Sequence, residues 1–118
     1  MGLTRDDVLK ASAPKPVQVD VPELGGCVFV RVLTGAERDR YDAALYDARK
    51  PDGSMNLDGF RVRLVMLAAC DENGARLFND TDTKLVGGIN SLALMRVFEA
   101  AQKVNGLSSE SVEDAVKN

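Results

Sequence analysis

Residues 17–33 read VQVDVPELGGCVFVRVL, and this stretch decides the fold. Its first five residues alternate valine with a polar residue, which is the period of a half-buried strand. Pro22 ends that strand, and Gly25-Gly26 permits the positive φ of a tight turn. A second strand, Cys27–Leu33, places three valines on one face: Val28, Val30 and Val32. The stretch therefore predicts an antiparallel β-hairpin, which is marginally stable alone and must pack on other elements.

Thr34-Gly35-Ala36-Glu37 follows the hairpin and has the pattern of a capping box. In this motif the threonine oxygen accepts from the backbone N–H three residues on, and the glutamate side chain reaches back. The box predicts a helix to about Ala48. The apolar stripe of that helix consists of Tyr41, Ala44, Leu45 and Ala48. Pro51-Asp52-Gly53-Ser54 then predicts a loop.

Leu57–Cys70 is the most apolar helix that the sequence predicts. Its apolar residues occupy so much of the circumference that we expect it to be covered on more than one side. Asn73-Gly74 predicts a turn. Ala75–Asn79 follows as a short extended segment that packs Leu77 and Phe78.

A second core helix is predicted from Asn90 or Ser91, as N-cap, to about Val104, and Asn105-Gly106 ends it. Its stripe consists of Leu94, Val97, Phe98, Ala101 and Val104, with Leu92 and Met95 beside it.

Three short helices complete the chain. Thr4–Ala11 begins with a threonine N-cap and is stopped by Pro14 and Pro16. Asp80–Asp82 offers caps for a helical turn that carries Leu85 and Val86 and ends at Gly87-Gly88. Ser108 caps a last helix through Val116, which is acidic and marginal in isolation.

These elements predict an α+β fold. We expect a mainly helical single domain, residues 1–118, with four to five helices and an N-terminal antiparallel β-hairpin. A chain of 118 residues buries roughly 65% of the surface that its unfolded form exposes, which supports one core. Residues 108–118 are the segment that we expect to fray.

Composition disfavours nucleic acid and membranes as partners. Fifteen basic residues are scattered among eighteen acidic ones, giving a net charge of −3 without a basic face. No apolar stretch approaches the ~20 residues that span a bilayer, and the N-terminus has no signal region. Cys27 and Cys70 lie in apolar runs, so we expect both to be small buried hydrophobes in a reducing cytoplasm.

The sequence contains few of the side chains that commonly carry out catalysis. The chain has no histidine, which excludes Ser-His-Asp and Cys-His arrangements, and two cysteines do not make a zinc site. Asp80 and Asp82 lack the ligand series of a calcium loop, so turn and cap chemistry is the preferred interpretation. Gly25-Gly26 and Gly87-Gly88 lack the context of a phosphate loop. We therefore predict no catalytic residue, no cofactor, no metal and no enzymatic activity.

The two core helices carry more apolar surface than a small domain needs. The residues that we take as candidates for binding a partner are Leu92, Met95, Phe98, Val112 and Val116. Core packing is the alternative interpretation for Leu92, Met95 and Phe98.

The order of these motifs resembles the tail assembly chaperones of long-tailed, siphovirus-type bacteriophages and prophages, from about Leu3 to the end. The motifs that carry the resemblance are Leu3–Leu9, Val19–Gly26, Val28–Asp39, Asp71–Phe78 and Phe98–Ser108.

The resemblance implies a protein of the bacterial host cytoplasm that is absent from the finished virion. Such chaperones coat the long, helical tape measure protein before the tail tube polymerises around it. Many are made in two lengths by a ribosomal frameshift, and the longer form recruits tail tube subunits. Members also tend to self-associate. The alternatives are a structural head–tail connector or tail terminator of the virion, and a small nucleic-acid-binding regulator, which the charge disfavours.

Overall fold

A computed structural model describes residues 2–11, 13–54 and 59–107, and it confirms an α+β fold with a β-hairpin near the N-terminus. The helices are α1 (Arg5–Lys10), α2 (Gly35–Asp47), α3 (Phe60–Ala68), α4 (Thr83–Gly87) and α5 (Ser91–Val104). The strands are β1 (Val17–Val21), β2 (Gly26–Val30) and β3 (Ala69–Cys70), in the order β1-β2-β3. The helix predicted over residues 108–118 lies outside the described residues.

The hairpin forms as its sequence predicts. β1 pairs antiparallel with β2, and the register sets Val17 opposite Val30 and Val19 opposite Val28. A short 3-10 turn, Pro22–Leu24, joins the strands, and Gly25 follows it with a φ of 75°. The valines share the face that packs on α5, where Val21 and Val30 are fully buried. This packing supplies the support that a lone hairpin lacks.

The second strand is shorter than predicted. It ends at Val30, and the expected alternation through Leu33 is wrong, because Val32 is 36% exposed whereas Leu33 is buried. Beyond Val30 the backbone N–H groups hydrogen-bond to residues outside β1. The Arg31 N–H donates to the Ala68 carbonyl, and the Leu33 N–H donates to the Asn105 side chain at 2.8 Å. These bonds join the segment after Val30 to the end of α3 and to the end of α5.

The helix predicted to reach Cys70 ends at Ala68 instead, and Ala69-Cys70 forms β3 against β2. Tertiary donors bind the last carbonyls of α3. Arg76 donates to the Met66 carbonyl at 3.0 Å, and Arg31 donates to the Leu67 carbonyl at 2.6 Å. Cationic donors are favourable at a helix C-terminus. No glycine or proline marks this end, so the sequence did not show it.

The core is built around α3. Five consecutive residues, Leu64–Ala68, are buried, which confirms that this helix is covered on more than one side. α5 and α4 pack against it, and the rings of Phe60 and Phe98 meet edge to face with centroids 5.3 Å apart. Val86 of α4 closes the core and is fully buried.

Both threonine N-caps form, but only one of them belongs to a packed helix. Thr34 and Glu37 make the reciprocal bonds of the predicted capping box, at 2.9 and 3.2 Å. Thr4 and Asp7 make the same box at α1. α2 buries Glu37 and Tyr41, whereas α1 buries no residue.

The two cysteines differ in environment. Cys70 is buried, as expected, because it lies in β3 within the core. The expectation for Cys27 is wrong, because this residue is exposed. It pairs with Asp20 in the hairpin, on the side of the strands that faces away from the buried valines. Among the described helices, none is long and apolar enough to cross a membrane.

Candidate partner-binding surface

The carboxylates of the oxygen-rich turns accept hydrogen bonds from nearby backbone N–H groups and from an arginine. Asp80 accepts from Arg76 at 3.1 Å, and Asp82 accepts from the Asn79 N–H at 2.9 Å rather than capping α4. Asp71 accepts from the backbone of the Asn73-Gly74 turn. Within residues 2–11, 13–54 and 59–107, no three acidic or cysteine side chains form a group that could hold a metal ion.

Several cavities of the described surface have the volume of a small-ligand pocket, and two of them lie against the core elements. One, of about 480 Å³, lies between α2 and α3 and is lined by Arg40, Tyr41 and Arg63. The other, of about 860 Å³, lies between Pro14, Pro16 and the outer face of β2. Among the described side chains that line them, no hydroxyl hydrogen-bonds to a base.

A third concavity is lined by apolar residues alone, and we call it the apolar groove. The residues that line it are Leu24, Val28, Val65, Ala69, Leu77, Phe78, Ile89, Ala93, Leu94 and Val97. It encloses about 40 Å³, well below the roughly 300–1,000 Å³ of a ligand pocket. A concavity of this size is too small to enclose a drug-sized molecule.

Leu24 and Leu77 are the most exposed residues of the apolar groove. Their exposed fractions are 52% and 48%, although both line a surface made of core residues. The expectation that the 75–79 segment packs both Leu77 and Phe78 therefore holds for Phe78, which packs on the core, and fails for Leu77. An apolar side chain that docked here would remove the remaining accessible area of both leucines from water.

Arg96 and Glu23 form an ion pair at one side of the apolar groove, next to Leu24. Arg96 of α5 donates to both carboxylate oxygens of Glu23, at 2.6 and 2.8 Å. The hydrogen bond from Arg96 also lowers the pKa of Glu23. Both distances involve the Nε–H of Arg96, which the two carboxylate oxygens share, and because Glu23 directly precedes Leu24 this contact joins the 3-10 turn to α5.

The structure separates the residues that the sequence grouped as binding candidates. Leu92 is 68% exposed, Met95 is partly buried against the core, and Phe98 is a core residue with 4% exposure. At about 100° per residue, Leu92 and Met95 lie on the far side of α5 from the residues that line the groove. Val112 and Val116 lie outside the described residues.

Sequence reasoning missed the apolar groove because its residues come from five separate segments. Periodicity places Leu94 in the stripe of α5, and the short segment 75–79 accounts for Leu77 and Phe78. The sequence predicts for Leu24 only a place in a turn. An isolated leucine between Glu23 and Gly25 was the one local signal, since turns seldom need an apolar side chain.

Comparison with protein-family models, with curated proteins and with solved structures found no match for this chain.

Proposed function

We propose that this chain is a non-catalytic assembly chaperone that binds the tape measure protein of a long-tailed bacteriophage in the cytoplasm of the bacterial host. The observation that carries the proposal is the apolar groove, a docking surface on a chain that contains no histidine. The order of sequence motifs supports the choice of client.

The groove suits a helical client. An amphipathic helix binds through apolar side chains one turn apart, and a shallow apolar surface receives them without a deep pocket. Complete burial of a leucine is worth about 1.5–3 kcal/mol, and Leu24 and Leu77 are already half covered. Each copy therefore binds weakly, and a long client is held by many copies that leave again as the tail tube forms.

The proposal extends to the tail tube protein as a second partner. A frameshifted longer form would carry an extension beyond Asn118, and that extension would recruit tail tube subunits. In this proposal the apolar groove binds the tape measure protein and the extension binds the tail tube protein, so that one chain links the two during assembly.

Co-expression with the tape measure protein tests the proposal. Wild-type protein should raise the soluble fraction of the tape measure protein several-fold. The double variant Leu24→Gln/Leu77→Gln should lose most of that gain, because both side chains line the groove. The matched control Leu92→Gln changes an exposed leucine on the far side of α5 and should behave as wild type.

Two results would contradict the proposal in different ways. If the wild-type chain leaves the solubility of the tape measure protein unchanged, the chaperone function is wrong. If Leu92→Gln abolishes the gain and the groove variant does not, the client binds to the Leu92 side of α5. Mass spectrometry of purified particles separates the alternative, since a connector or tail terminator would be present in fixed copy number and a chaperone would be absent.

A further inference from the structure

Two arginines differ from the other arginines of the chain in lacking a partner. Of the nine arginines, seven form an ion pair with a carboxylate or lie over an aromatic ring. Among the described residues, Arg40 of α2 and Arg63 of α3 have neither kind of partner, and their side chains make no hydrogen bond. Because an arginine is always charged, the described part of the chain leaves these two positive charges without a counterion.

Both arginines line the same cavity, the one of about 480 Å³ between α2 and α3. Its volume is within the roughly 300–1,000 Å³ of ligand pockets. One face of α3 lines it, with residues at helical spacing: Gly59, Arg63, Met66 and Leu67. Met66 and Leu67 are buried and apolar, so they lower the local dielectric constant and strengthen the attraction between the two arginines and an anion.

Neutral donors line this cavity beside the arginines. Tyr41 and Thr83 each carry a hydroxyl group. Burial raises the pKa of Tyr41, so its phenol is protonated at neutral pH and can donate a hydrogen bond. Gly59 is the N-cap of α3 and provides no side-chain cap, so the positive end of the helix dipole also lies at the cavity.

One carboxylate, that of Asp80, lies at the same cavity. It accepts from the Arg76 guanidinium at 3.1 Å, and this ion pair balances its charge. Among the described residues that line the cavity, no other side chain is acidic. The charges of Arg40 and Arg63 therefore remain in excess, and the cavity attracts an anion.

We propose that this cavity binds the terminal phosphate monoester group of a small molecule. Such a group carries about −1.5 to −2 charge at pH 7 and three acceptor oxygens, which matches two guanidinium groups and two hydroxyls. A carboxylate, or a phosphodiester of a nucleic-acid backbone, carries a single charge and leaves one arginine without a counterion. The inference goes beyond the proposed function, because the cavity shares no described lining residue with the apolar groove.

Amide NMR spectra of the full chain, recorded during titration with phenyl phosphate near neutral pH, test this inference. Wild-type protein should bind phenyl phosphate about tenfold more tightly than benzoate, which presents the same ring on a singly charged carboxylate. Arg40→Gln and Arg63→Gln should each weaken phenyl phosphate binding by about tenfold, because each removes a charged donor. The control Arg61→Gln removes the same charge from α3 outside the cavity, where the guanidinium lies over Phe60, and should bind as wild type.

The same spectra show whether each variant is folded, so a loss of binding is not confused with unfolding. Affinity should also fall as the pH is lowered through about 6, where the monoester gains a proton. Equal affinity for benzoate, or an equal loss of affinity in Arg61→Gln, would overturn the inference. Competition by an oligonucleotide without a terminal phosphate would also overturn it, in favour of a nucleic-acid backbone. Each of these results leaves the client proposal standing, because no client is present.

Discussion

Glu37 shows how one side chain can serve a helix end and the core together. Its carboxylate accepts from the Thr34 N–H at 2.9 Å and from the Arg31 guanidinium at 2.7 Å. Burial alone would raise the pKa of Glu37, but the bonds from Arg31 and Thr34 outweigh that effect and lower the pKa from 4.5 to about 2. The ionised form is therefore the one that the fold stabilises.

This pKa makes stability depend on acid in a defined window. A carboxyl whose folded pKa is below its unfolded pKa stabilises the protein fully above the unfolded value, and this contribution is lost as the pH falls through the folded value. Glu37→Gln should therefore lower the free energy of unfolding by about 3 kcal/mol near pH 7, because it removes one partner of a buried ion pair. The difference from wild type should narrow between pH 4.5 and 2.

Urea unfolding at a series of pH values measures that difference. Asp39→Asn, which changes an exposed carboxylate on the same helix, is the control and should follow the wild-type profile. A difference between Glu37→Gln and wild type that stays constant from pH 7 to pH 2 would contradict the assigned pKa.

At the scale of elements, the same capping box begins a helix that packs on the core in one case and a helix that does not in the other. α1 and α2 begin with the same reciprocal capping box, and both were visible as helix starts in the sequence. α2 packs against α3 through Tyr41, which is 2% exposed, whereas α1 buries nothing. A cap contributes to global stability only when its helix unfolds together with the core.

Thr34→Ala and Thr4→Ala form a matched pair that tests this distinction. Loss of the cap at Thr34 should lower the free energy of unfolding by about 1 kcal/mol. Loss of the cap at Thr4 should change it by less than about 0.3 kcal/mol, because α1 is outside the core. Chemical denaturation is the measurement. Equal effects would mean that α1 is part of the cooperative unit.

The end of α3 is the element boundary that the sequence placed wrongly. Nothing between Leu67 and Cys70 breaks a helix, and the apolar pattern continues through it. The helix ends because Arg31 and Arg76, which are distant in sequence, bind its last carbonyls and because Ala69-Cys70 completes the sheet. The same two arginines therefore join the end of α3 to the hairpin and to the segment after β3.

At the scale of the whole molecule, Asn105 forms hydrogen bonds that join distant parts of the chain. Its side-chain oxygen accepts from the Leu33 N–H at 2.8 Å, and its side-chain nitrogen donates to the Arg31 carbonyl at 3.2 Å. Arg38 of α2 also donates to the Asn105 carbonyl at 3.0 Å. One residue thus connects the C-terminus of α5 with the segment between β2 and α2. The sequence indicated only that a helix ends here.

Asn105→Ala should therefore lower the free energy of unfolding by far more than a change that affects only the end of α5. It leaves a partly buried N–H and a carbonyl without partners, so the free energy of unfolding should fall by about 2–4 kcal/mol. Gln102→Ala, on the same helix and without a side-chain hydrogen bond among the described residues, should change it by about 0.5 kcal/mol or less. Thermal unfolding followed by circular dichroism measures both, and equal changes would contradict the role of Asn105.

The sequence by itself determined the local elements: the hairpin, the capping box at Thr34, the N-cap at Thr4, the glycine turns and the two core helices. Each of these depends on residues within about five positions of one another, where backbone geometry and periodicity act directly. The sequence also determined the absence of histidine chemistry, since no fold can supply a missing side chain.

Only the tertiary structure decided where α3 ends, which cysteine is buried and which apolar residues face outward. Leu24, Leu77 and Leu94 form one groove although 70 positions separate the first from the last, and Phe98, a binding candidate in the sequence, lies in the core. Periodicity shows that a helix has an apolar side. Which part of that side meets the core depends on the packing of the other elements, and that packing is set by contacts between residues far apart in the chain.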